Sequence, residues 1–119
     1  MDLSPIDRMI LPGLFTSDER QTLYQTMCAV RLMGQQNAQT AKLQVIREAM
    51  TVCNISSTDQ EQSRRFSQPQ MMEIMKRMDD TKKCYFAKFC SHVALASGNS
   101  QKETMFLNWL YAEINVPNL

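Results

Sequence analysis

Glycine and proline are scarce: three Gly and four Pro in 119 residues leave little material for the many tight turns of an all-β chain. Charge of one sign is lacking too. Thirteen Lys+Arg stand against 12 Asp+Glu, so the net charge of +1 creates no global field of the kind that draws nucleic acid, acidic membranes or polyanionic substrates. No apolar run reaches the ~20 residues that span a bilayer. The start, MDLSPIDRMILPGLF, places two acids before its first base, and Pro12-Gly13 interrupts its apolar stretch, so it does not read as a secretory signal. The final VPNL carries no cysteine for lipidation. These features predict a cytoplasmic protein. Histidine is nearly missing, with His92 alone, and Cys28, Cys53, Cys84 and Cys90 lack paired-ligand spacing. The cysteines read as reduced, buried small hydrophobes.

What the chain does have is helix punctuation and methionine. Its length suits one domain that buries roughly two-thirds of its unfolded surface without disulfides or metal. Thr16-Ser17-Asp18-Glu19 forms a capping box, and Leu23, Met27 and Val30 follow on one helical face. Gly34 stands where a left-handed C-terminal cap is expected. After the polar stretch Gln35 to Gln39, a second stripe runs through Ala41, Val45, Ile46, Ala49, Val52 and Cys53 to Asn54. Thr58-x-x-Glu61 predicts a short helix over Asp59 to Arg65. Ser67 caps a segment with Pro69 in its first turn, where a missing N–H costs nothing. Met71, Ile74, Met75 and Met78 stripe that segment. A further helix starts near Asp79 or Asp80, faces Phe86, Phe89, Cys90, Val93 and Ala96 inward, and stops at Gly98. Ser100-Gln101-Lys102-Glu103 is another capping box, opening a helix whose core face is Phe106, Leu107, Leu110 and Ile114 before Pro117. No stretch alternates with period two for long enough to be a strand. The predicted fold is all-α: a single-domain bundle of about five helices over 1–119, with a first hairpin at 16–55, a linker and middle helix at 56–79 and a second hairpin at 80–117.

The two hairpins align at an offset of 61: Val45 with Phe106, Ile46 with Leu107, Ala49 with Leu110, Cys53 with Ile114, Asn54 with Asn115 and Ile55 with Val116. Two related hairpins joined by a middle helix is the simplest account. The stretch VALASGNSQKETMFLNWLYAEINVP, Val93 to Pro117, resembles the second half of the tellurite-resistance TerB-like family. The family pattern is an apolar helix, Ala-Asp-Gly, a short polar loop ending in Glu, a second apolar helix and a Leu-Gly-Ile/Val exit. Ala96, Gly98, Glu103, Leu107, Leu110 and the Ile114-Asn115-Val116 exit fall in place, and the first hairpin matches in outline. The resemblance implies a helical fold of two related hairpins and, in the family, a metal-binding acidic patch in the loops. Here Ser97 replaces the usual Asp, and the first loop, Gly34 to Gln39, has no carboxylate. Glu103 is the only acidic loop residue retained. Divalent cations need several convergent oxygens, so one exposed Glu predicts no metal site.

Catalytic patterns are absent as well. There is no G-x-S-x-G, P-loop, H-E-x-x-H or dinucleotide fingerprint, and no residue is a candidate for catalysis or for holding a cofactor. Cys90 and His92 point about 200° apart on a helix and cannot share a ligand. Asp79-Asp80 reads as a helix N-terminus rather than a catalytic pair. Arg64-Arg65, Lys76-Arg77, Lys82-Lys83 and Lys88 are interspersed with Glu73, Asp79 and Asp80, as on a solvated face of i, i+4 pairs. Methionine is the surplus: ten residues, four of them between Met71 and Met78. Met71, Met75 and Met78 share one core-like face and Met72 lies off it. Met33, Met50 and Met105 fall near hairpin ends, and Trp109 sits beside the Phe106–Leu110 stripe. Methionine fills cores and also lines adaptable binding surfaces. The leading expectation is therefore a non-enzymatic, stress-related protein-interaction module with Met71, Met72, Met75 and Trp109 at the partner surface. The alternatives are a divalent-metal-binding TerB-like domain and a domain that binds an anionic surface or nucleic acid. No small-molecule substrate is indicated, no membrane-spanning segment is present, and self-association stays open.

Overall fold

Seven α-helices make up the computed structural model, which describes residues 1–98 and 101–117. They are α1 (Pro5–Ile10), α2 (Ser17–Met33), α3 (Gln39–Val52), α4 (Ser57–Gln62), α5 (Gln68–Arg77), α6 (Asp80–Leu95) and α7 (Gln101–Glu113). Among the described residues there is no strand, and no helix is long and apolar enough to cross a membrane. The count exceeds the expected five or so: α1 was not foreseen, and the short α4 stands beside the five longer helices.

Their starts are set by local chemistry. Thr16 and Glu19 exchange the capping-box bonds at α2: the Thr16 N–H donates to Glu19 Oε1 at 2.8 Å, and the Glu19 N–H donates to Thr16 Oγ1 at 3.3 Å. Ser67 caps α5 through Gln70, and Asp79 caps α6 at Lys82. The short helix α4 begins earlier than Thr58-x-x-Glu61 suggests, because Ser56 and Asp59 form the capping box instead. Helix α1, absent from the sequence prediction, uses Ser4 and Asp7 in the same way with Pro5 in its first turn. The predicted Ser100 cap lies outside the described residues.

The ends of α3 and α7 are built alike. Asn54 and Asn115 adopt left-handed backbone at φ 60° and 59°. The N–H of Ile55 bonds Met50 O, and the N–H of Val116 bonds Tyr111 O, in the same Schellman pattern. Gly34 departs from expectation: its φ of −76° is extended, so α2 has no left-handed glycine cap. At the other hairpin, α6 ends at Leu95, and Ser97 and Gly98 both take positive φ. Ala96 is half-buried beyond that end rather than facing the core.

Helix α2 is central, packing on α3, α4, α5, α6 and α7. Its Leu23, Met27 and Val30 are fully buried against Ile46 and Ala49 of α3 and Phe86, Phe89, Cys90 and Val93 of α6. Leu107, Leu110 and Ile114 close the core from α7, and Met75 and Met78 from the end of α5. Met71 stays half-buried, and so does Phe106, which was expected in the core. A polar seam fixes α4 to α2. Arg20 Nε donates to Asp59 Oδ2 at 2.9 Å, and the buried Gln21 side chain donates to Asp59 Oδ1 and Gln62 Oε1. Burial alone would raise the Asp59 pKa. Bonds from Arg20, the Ser56 backbone and Gln21 outweigh it and hold the carboxyl below its ordinary value.

Candidate functional site

Helices α5 and α7 both pack on α2, and a groove of about 410 Å³ lies among the three. Helix α2 contributes Gln25, Thr26, Ala29 and Met33. Helix α5 adds Gln68, Pro69, Met71, Met72 and Met75, and helix α7 adds Phe106, Trp109 and Leu110. All four residues singled out by helical phase, Met71, Met72, Met75 and Trp109, therefore line one concavity. Met75 forms its buried floor, Met71 and Met72 are half-buried, and Trp109 is 53 % exposed at the lip. Trp109 leans toward Phe106 with ring centroids 6.1 Å apart. Met105, 63 % exposed, extends the apolar surface of α7 beyond the lining.

Among the described residues, the lining contains no Asp, Glu, His, Lys, Arg, Cys or Tyr. Its chemistry is apolar contact, with the amides of Gln25 and Gln68 and the Thr26 hydroxyl, which donates to Thr22 O, as its polar groups. Flexible thioethers beside a fixed aromatic pair suit a surface that reshapes around an apolar partner.

Several basic residues face carboxylates outside the groove. Arg65 bonds Asp18 at 2.7 Å and lies over the Phe66 ring, Lys82 bonds Glu19 at 2.8 Å, and Arg77 faces Glu73. Lys83 is buried. Reactivity of the two buried thiols is suppressed, because burial pushes Cys53 up to about 12 and raises Cys90 as well. His92 is half-exposed on the last turn of α6, and desolvation with neighbouring positive charge lowers its pKa.

A second cluster lies outside the residues expected at the partner surface from sequence. Lys42 and Glu103 are both 0 % exposed, and their charges meet at 2.9 Å inside the protein. Glu103 is thus not the exposed loop acid expected of it. The Lys42 ammonium also donates to the carbonyls of Val93, Ala94, Ala96 and Gly98 at 2.8–3.4 Å. The last carbonyls of a helix have no intrahelical partner, and a cation there also meets the negative end of the helix dipole. Gly34 makes room for this pair: a Cβ at that position would collide with Lys42 Cε and crowd Glu103 Oε1. Two signals marked the cluster. Lys42 precedes Ile46 and Ala49 at i, i+4 and i+7, in phase with the core, and it occupies the position equivalent to Glu103 at the same 61-residue offset.

Among the described residues, no group of three or more His, Cys, Asp or Glu lies together as a metal site would require. No family model, no curated protein and no solved structure matches the chain.

Proposed function

We propose that the protein is a non-enzymatic, cytoplasmic binding module, TerB-like in its two-hairpin plan, whose groove takes the apolar face of a helix from a partner protein. The observation that carries this reading is the groove itself: Met71, Met72, Met75 and Trp109 converge on a concavity of about 410 Å³ with no ionisable side chain among the described residues that line it. Helix-in-groove recognition inserts apolar side chains spaced i, i+3/i+4 and i+7 between helices, with affinity concentrated in a few aromatic and thioether contacts. A stress-related role comes with the TerB-like resemblance alone.

The divalent-metal alternative meets a specific obstacle, since its one retained acid, Glu103, is already neutralised by the Lys42 ammonium. The anionic-surface alternative loses support because Arg65 and Lys82 pair with carboxylates at 2.7 and 2.8 Å. Selection from a library of displayed amphipathic helices tests the groove reading. Selected peptides are expected to lose at least about tenfold in affinity toward Met72→Glu and toward Trp109→Ala, a cost of about 1.4 kcal/mol or more. Equal affinity for variants of native circular dichroism contradicts the reading, and a steep fall with added salt would favour the anionic one instead.

A further inference from the structure

Five oxygens surround the Lys42 ammonium within 2.8–3.4 Å: the carbonyls of Val93, Ala94, Ala96 and Gly98, and Glu103 Oε2. An ammonium has three protons, so this shell exceeds what linear hydrogen bonds from one lysine require. Rings of backbone carbonyls completed by a carboxylate are how proteins replace the hydration shell of a cation.

The backbone supplies this shell for a reason. Ser97 and Gly98 at φ 57° and 84° turn the chain back past the end of α6, bringing the Ala96 and Gly98 carbonyls to the same point as the free carbonyls of its last turn. By contrast, the His92 and Leu95 carbonyls accept local backbone bonds from Ala96 and Gly98. The Glu103 carboxylate supplies one full negative charge, and the C-terminal end of α6 adds partial negative charge.

We infer that residues 93–98 with Glu103 form a cation-binding cage of the ammonium class, and that Lys42 is its tethered occupant. The chain carries its own cation from the first hairpin into the second, and so locks the two together without drawing an ion from solution. With Lys42 cut back to its Cβ, the cage keeps its negative charge and gains a cavity the length of a three-carbon amine. A free primary ammonium ion then takes the vacated place. This inference does not depend on what occupies the groove.

Thermal unfolding of Lys42→Ala in propylammonium, methylammonium, ammonium and tetramethylammonium chlorides at equal ionic strength tests it. Propylammonium is expected to raise Tm saturably by several degrees, with smaller gains from methylammonium and ammonium. Tetramethylammonium has no N–H and should give none, and the wild type should not distinguish the four salts. A variant indifferent to the cation, whether folded or unfolded throughout, overturns the inference. A second measurement uses the unaltered protein. The Lys42 ammonium protons should exchange slowly enough to appear in nitrogen-resolved NMR, unlike those of exposed Lys76 and Lys102, and exchange as fast as theirs also overturns it.

Discussion

At the scale of single residues, two glycines separate space from backbone freedom. Gly34 has an extended φ that any residue adopts, yet a Cβ there meets the buried Lys42 stem. Gly13 has nothing within 4 Å of such a Cβ. Gly34→Ala is therefore expected to cost about 1–3 kcal/mol through overpacking. Gly13→Ala should be neutral or stabilise by up to about 1 kcal/mol, and denaturant unfolding of both measures the difference. Asp59 carries a pH dependence. Its folded pKa is depressed, so its contribution is fully present above the unfolded value near 3.9 and is lost as pH falls through the folded value. Stability should decline from about pH 5 downward, and Asp59→Asn should flatten that decline at the cost of the Arg20 bond. Neither effect follows from composition. Gly34 was legible as a glycine with a purpose, but its purpose is room for the Lys42 stem packed against it rather than a left-handed cap.

At the scale of elements, the prediction succeeded where side chain and backbone cap each other locally. Thr16–Glu19, Ser67–Gln70 and Asp79 are bonds between residues three apart, and sequence spacing alone exposes them. Helix α1 was equally visible in Ser4-Pro5-x-Asp7, but its apolar residues Ile6, Met9 and Ile10 face solvent, so no buried stripe announced it. Helix α4 was displaced because Ser56 offered a competing cap two residues before Thr58. The matched ends of α3 and α7 lead to a direct test. Asn54→Ala and Asn115→Ala each place an alanine at φ near 60°, and both should lose about 1 kcal/mol, by similar amounts, in thermal or chemical unfolding. A loss at one site only would show that the two exits are held by different contacts.

At the scale of the whole molecule, the sequence foretold the all-helical class and most of the core because apolar residues at helical spacing have nowhere else to go. Leu23, Met27, Val30, Ile46 and Phe86 are buried as phase required. Helical phase also picked out four of the groove's lining residues. It could not place Gln25, Ala29 or Met33 opposite them, because the gap depends on how α5 and α7 sit on α2. The Lys42–Glu103 pair was marked only by core phase and the 61-residue offset, and a charge in core phase reads as an exception until its partner, distant in sequence, is brought to it. We propose that the groove, rather than the exposed face of α1, receives a partner helix. Methionine-methyl NMR on addition of the tightest selected helical peptide tests it most directly, since methionines mark both surfaces. The account predicts that Met33, Met71, Met72 and Met75 shift together while Met9 on α1 stays unmoved; shifts confined to Met9, or none at the four groove methionines, would contradict it.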